Sequence, residues 1–153
     1  MFKPVLPEQS VTVVSPFDPA IDESQSDIES YGEQALRNPG AWRDHFKFKE
    51  GAEPTEFEIG VIPTAKLIQI ESECGVGTDN LEEAKLRWMC FLYGLRDIRN
   101  FGQDIPKVTV NGVDYVDPEF LSKNFTRNLR HVASNLGAVI YFWNMLNDDE
   151  SKN

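Results

Sequence analysis

Residues 80–101 read NLEEAKLRWMCFLYGLRDIRNF, and the conformation of this stretch decides how the rest of the chain can be arranged around it. Leu81, Ala84, Trp88, Phe91, Leu92, Leu95 and Ile98 recur at the three-and-four spacing of one helical face, which predicts a central helix along the whole stretch. Leu86, Met89, Cys90 and Tyr93 make its middle apolar on the far side as well, as in a helix packed on two sides. Asn80 and Glu83 stand at the spacing of a capping box, so the helix is expected to start there.

Just before this stretch, Pro63 and Thr64 open a short helix whose apolar positions are Ala65, Leu67, Ile68 and Ile70, with Gly75 as its left-handed stop. Just after it, residues 107–116 read KVTVNGVDYV. Asn111-Gly112 between β-branched runs predicts a hairpin, because both central positions of a type I′ turn need positive φ. Asp117-Pro118 then caps a last helix, along which Leu121, Phe125, Leu129, Val132, Leu136, Val139, Ile140, Trp143 and Leu146 form one stripe. Gly137 lies within that stripe, where it weakens the helix but permits close packing.

Towards the N-terminus the pattern thins. His45, Lys47 and Lys49 alternate with Phe46 and Phe48, and Phe57 and Ile59 alternate with Glu56 and Glu58, which predicts a two-stranded ribbon over residues 46–59. Residues 18–33 hold six carboxylates and no Lys or Arg. Such a segment buries little, so residues 22–36 are expected to form a weak helix touching the core through Ile28, Tyr31, Ala35 and Leu36, or to be partly disordered. Residues 1–14 mix prolines with a β-branched run and read as an extended arm, with an edge strand at Ser10–Val14. The expected organisation is therefore an acidic arm over residues 1–40, one α+β domain over 41–147 and an acidic tail over 148–153. In that domain two β-hairpins pack against two long helices and one short one.

With 153 residues, 41% of them hydrophobic, the chain can bury a core without metal or disulfide staples. A net charge of -10 disfavours nucleic acid and anionic membrane surfaces, which select clustered Lys and Arg. Lys123, Arg127 and Arg130 are the nearest approach to a basic patch and read as a solvated helix face. Cys74 and Cys90 lack Cys or His neighbours at metal-ligand spacing and read as free thiols. No apolar run reaches the roughly 18 residues of a membrane span, and the N-terminus lacks the form of a signal peptide. His45 and His131 stand without a nucleophile motif, and Gly75-Val76-Gly77 follows a helix rather than a strand, against a dinucleotide loop. Phe142 and Trp143, being adjacent, point in different directions on a helix, so at least one lies off the core stripe.

Six segments carry a resemblance. MFKPVLP (1–7) with SPFDPA (15–20), then EPTEFEIGVIP (53–63), YGLRDIRNF (93–101), VNGVDYV (110–116) and NMLNDDESKN (144–153) resemble, in that order, a family of small tailed-bacteriophage proteins encoded among virion morphogenesis genes. The resemblance leaves out residues 18–40, and its motifs are turn-forming rather than chemical. It implies a virion-associated or tail-assembly protein without enzymatic activity, with no catalytic, cofactor or metal residues. The function it points to is a tail-assembly chaperone that binds other virion proteins; a permanent minor head or tail component is the alternative, and a small enzyme the third reading. Expected partners are other phage virion or tail proteins, with homo-oligomerisation left open and neither nucleic acid nor membrane. The expected place is the host-cell cytoplasm, with the virion as the alternative. An extended arm and the end of the last helix suit contact with a partner, which makes Phe2, Val5, Val11, Val13, Phe142 and Trp143 the candidate partner-binding residues. On this reading, removing residues 1–14 or 147–153 leaves the fold intact.

Overall fold

The computed structural model describes residues 6–146. In chain order the elements are β1 (Ser10–Val14), α1 (Ile28–Gln34), α2 (Trp42–His45), β2 (Glu56–Gly60), α3 (Thr64–Glu73), α4 (Glu83–Tyr93), β3 (Leu95–Arg99), β4 (Lys107–Val110), β5 (Val113–Val116), α5 (Pro118–Asn124) and α6 (Arg130–Met145). The fold is mixed α+β, with a three-stranded antiparallel sheet in the order β1-β2-β3 and a two-stranded sheet β4-β5. Helices α4 and α6 form the main helical contact.

Residues 80–101 are not one helix. The helix ends at Tyr93, and Leu95 and Ile98 belong to β3, paired with β2. Their three-residue spacing imitates a helical face because the register shifts between Glu58 and Ile59: Glu58 pairs with Asp97 but Ile59 pairs with Leu95, leaving Arg96 as an extra residue. A bulge of this kind adds one residue to the two-residue period of a strand, so Leu95 and Ile98 both reach the core. The helix start also differs. Glu82 is the N-cap and makes no side-chain capping bond, while Asn80 belongs to the preceding turn, its amide donating to Thr78 Oγ1 at 3.1 Å. Leu81 and Ala84 are exposed; the buried face of α4 is Leu86, Cys90 and Phe91, and Trp88 is only partly buried, stacked on Phe91.

The expected ribbon over residues 46–59 is replaced by two separate pairings. β2 is the centre of the larger sheet, with Val13 opposite Phe57 and Val11 opposite Ile59. Residues 47–49 instead meet residues 20–22, where the Asp22 amide donates to the Lys47 carbonyl and the Lys49 amide to the Ala20 carbonyl, each at 2.8 Å. The acidic segment therefore does more than expected. Asp27 caps α1 by accepting from the Ser30 amide, Tyr31 is buried with its hydroxyl donating to the Pro39 carbonyl at 3.0 Å, and Ile21 and Ala35 join the same hydrophobic cluster as Trp143.

Unlike the Asn80–Glu83 box, the local signals at Asn111-Gly112, Gly75 and Asp117-Pro118 hold as read. Asn111 and Gly112 have φ of 52° and 79° and close the β4–β5 hairpin, and Gly75 ends α3 at positive φ. Asp117 caps α5, accepting from the Glu119 amide at 3.0 Å, with Pro118 as its first residue. The last helix is interrupted, however, by a turn at Arg127, φ 50°, between α5 and α6. The break lets Phe125 turn inward, where its ring stacks on Phe101 at 5.2 Å and meets Phe91 edge-on at 4.9 Å. Gly137 sits where α6 crosses α4, so close that a Cβ there would overlap the Arg87 carbonyl oxygen.

Candidate functional site: an apolar groove beside an open strand edge

The bulge that places Leu95 and Ile98 in the core also aims Arg96 across the sheet. Its Nε donates to the Asp114 carbonyl at 2.8 Å and Nη1 to the Glu8 carbonyl at 3.3 Å, and its guanidinium lies 5.8 Å from the Tyr115 ring centre. Tyr115 in turn donates its hydroxyl to the Val61 carbonyl at 2.6 Å; burial pushes its pKa up, with Arg96 opposing. These bonds hold the β4–β5 hairpin against the connection between β2 and α3. The hairpin does not close on α3, and between them lies a groove of about 350 Å³.

One wall is the start of α3, with Pro63, Ala65, Lys66 and Gln69; Leu92 and Tyr93 from the end of α4 contribute to the lining. The other wall is the hairpin, with Val108, Val110 and Tyr115. Val108 and Val110 share a face of β4 because side chains alternate along a strand. Lys66 is the one charged residue of the lining. Its ammonium lies 4.4 Å from the Tyr93 ring centre and 3.1 Å from Gln69 Oε1. No carboxylate lines the groove. An apolar trough of this size with a single cation suits aliphatic side chains accompanied by one negative group.

The residues expected to bind a partner are dispersed. Phe142 is exposed at 46% and packs edge-on against Tyr141, whereas its neighbour Trp143 is exposed at 3% and belongs to the core. Val13 is buried beneath the larger sheet and Val11 is partly buried on the same side, so neither offers a free surface. Phe2, Val5 and residues 148–153 lie outside the described residues. His131 is exposed against Phe17 at the rim of a cavity formed by residues 16–24, while His45 lies beside Tyr31 at the end of α2. Among the described residues no group of three or more His, Cys, Asp or Glu is placed to hold a metal ion. Cys74 and Cys90 are fully buried free thiols, and burial pushes the Cys90 pKa up to about 12.

The groove was not read from the sequence. Its signal was that Val108 and Val110 sit on one face of a strand pair of four residues each, too small to cover that face itself. No helix of the described residues is long and apolar enough to cross a membrane. No family profile, no curated protein and no solved structure matches the chain.

Proposed function

We propose that the chain is a non-enzymatic assembly protein of a tailed bacteriophage, acting as a tail-assembly chaperone that binds another virion protein. The resemblance of the six sequence segments supports the phage setting. The observation that carries the binding role is the groove: exposed aliphatic side chains of two elements, Ala65 from α3 and Val110 from β4, face a shared trough held open by the Arg96 and Tyr115 bonds. An apolar trough on an acidic surface is suited to shielding an apolar part of a partner until assembly, since covering it removes apolar area from water.

The test has two arms. Affinity purification of the tagged chain from infected cells should recover a phage structural protein, and Val108→Glu, which places a carboxylate in the trough, should lose it at an unchanged melting temperature. Mass spectrometry of purified virions then decides the role, since a chaperone is absent from them and a permanent minor component is present. Recovery of no phage protein by the unaltered chain refutes the binding role.

A further inference from the structure

The groove has a feature beyond its apolar lining, namely that one of its walls is a strand with nothing paired along its outer side. Among the described residues β4 is bonded to β5 alone. The hydrogen-bonding alternation follows from the turn: Val110 and Val113 flank the two-residue loop and form a bonded pair, as do Val108 with Tyr115, and the ladder continues where the Asp117 amide donates to the Pro106 carbonyl at 2.9 Å. The main-chain groups of Lys107 and Thr109 therefore point away from β5. Among the described residues nothing hydrogen-bonds them. The contrasting case is β1, whose Thr12 carbonyl accepts from Trp42 Nε1 at 2.9 Å, so that edge is occupied. Natural sheets guard open edges with projecting lysines, but Lys107 is drawn back to Asp97, Nζ to Oδ1 at 3.0 Å.

An unpaired edge beside an apolar trough closed on its far wall by a helix is the geometry that receives an extended peptide: the main chain pairs with the edge and alternate side chains enter the trough. The charge at the site narrows the occupant. In a chain with 25 acidic and 15 basic residues, the lining carries Lys66 and no carboxylate. The Lys66 ammonium lies on the Tyr93 ring and is bonded to Gln69, with no carboxylate of the described residues within 4.0 Å. A negative group on the occupant would meet a cation that no acid of the described residues contacts.

We propose that β4 is a strand-addition site: an extended segment of a partner protein, aliphatic at alternate positions and carrying one carboxylate, pairs with the Lys107 and Thr109 main chain and sets its acid against Lys66. This rests on the binding role proposed above and specifies its partner. Strand pairing supplies affinity that does not depend on side-chain identity, while Val108, Val110 and Lys66 supply the selection.

The probe is an acetylated, amidated hexapeptide, Thr-Val-Ser-Val-Ser-Glu, added to the full chain. Amide chemical shifts are expected to move at residues 107–109 and 65–69. Methylating alternate peptide nitrogens, which removes the donors of one edge and keeps every side chain, should weaken binding by about tenfold or more. Replacing the peptide Glu by Lys should also weaken it, and Lys66→Glu should reverse that preference. Thr109→Pro removes the outward amide and leaves the main-chain bonds to β5, and Thr109→Val, which loses only the Thr109 Oγ1 bond to Asp114 Oδ1, is its control; the proline variant should bind the peptide more weakly than the valine variant, with melting temperature reporting that the hairpin is retained. Absence of peptide binding, equal binding of the methylated peptide, or shifts centred on Phe142 and Met145 overturns strand addition. If a phage protein still co-purifies with the Val108→Glu chain, strand addition fails while protein binding stands; if the peptide binds as described but no phage protein is recovered, the assembly role fails and the site stands.

Discussion

Replacing Gly137 by Ala tests the packing on which the helical half of the molecule rests. A Cβ at this position would overlap the Arg87 carbonyl oxygen and lie 2.5 Å from the Arg87 carbonyl carbon and 3.0 Å from its Cα. All three are backbone atoms of α4, so no rotamer change can relieve the overlap; α4 and α6 must separate by roughly an ångström, a gap that already forfeits a quarter to a half of each dispersion contact across it. The side chains that lose contact are central to the core, including Cys90 and Phe91 on one helix and Ala133, Leu136 and Ile140 on the other. Overpacking costs about 1–3 kcal/mol, and a rigid neighbour on the backbone places this site at the upper end. Alanine returns about 1 kcal/mol as a better helix former, which leaves a net loss of about 2 kcal/mol. At roughly 2–4 °C per kcal/mol for a chain of this length, the melting temperature should fall by about 4–8 °C. Gly32 is the internal comparison. It is exposed in α1 with nothing within 4 Å of the position its Cβ would take, so Gly32→Ala should stabilise by up to about 1 kcal/mol. Urea unfolding of both variants provides the measurement. A Gly137→Ala protein as stable as the unaltered chain would refute the close helix crossing.

The two tryptophans of the helical half should separate: Trp143→Ala, in the core, is expected to lose about 3–5 kcal/mol, and Trp88→Ala, partly exposed, about 2 kcal/mol, by the same urea titration. Equal losses would contradict their burial. Deleting residues 1–14, which the sequence suggested would leave the fold intact, should instead abolish cooperative unfolding, because Val13 and Val14 are both exposed at 1% and β1 (Ser10–Val14) is the partner of β2; circular dichroism with thermal melting checks this. Between pH 7 and about 9 the Cys90 thiol leaves stability unchanged, and above that stability should fall: Cys90 has a folded pKa of about 12 against 9.0 for the unburied thiol, so the unfolded state sheds its proton first, and its loss reaches roughly 2–3 kcal/mol near pH 11. The buried tyrosine Tyr31, whose pKa burial also raises from its ordinary value of 10.0, adds to the fall above about pH 10. Denaturation midpoints measured from pH 7 to 11 report it, and a midpoint that rises with pH would contradict the burial of the thiol.

Some of this molecule was determined by residues acting within a few positions of themselves. The Asn111-Gly112 turn, the Asp117-Pro118 cap and the Gly75 stop depend on backbone preferences and side-chain bonds spanning a few residues, and those are carried by the sequence wherever the segment is placed. The mixed α+β class followed, as did the position of Gly137 at a close contact. Tertiary structure decided what needed a distant partner. Residues 95–99 become a strand because β2, some forty positions earlier, supplies their hydrogen bonds and because Gly94, whose Cβ would overlap Ile140 Cγ2, ends the helix; the bulge at Arg96 then disguises the strand period as a helical one. Residues 46–49 find residues 20–22 instead of 56–59, and Phe125 breaks the last helix to reach Phe91 and Phe101. The groove belongs to this second kind. Lys66, Tyr93, Val108 and Tyr115 are scattered over fifty positions and are unremarkable where each stands in the sequence; they form a site because Arg96 and Tyr115 fix the hairpin a groove's width from α3. A sequence specifies its turns through neighbouring atoms, but a site between elements exists only after burial of the core has chosen which elements face each other.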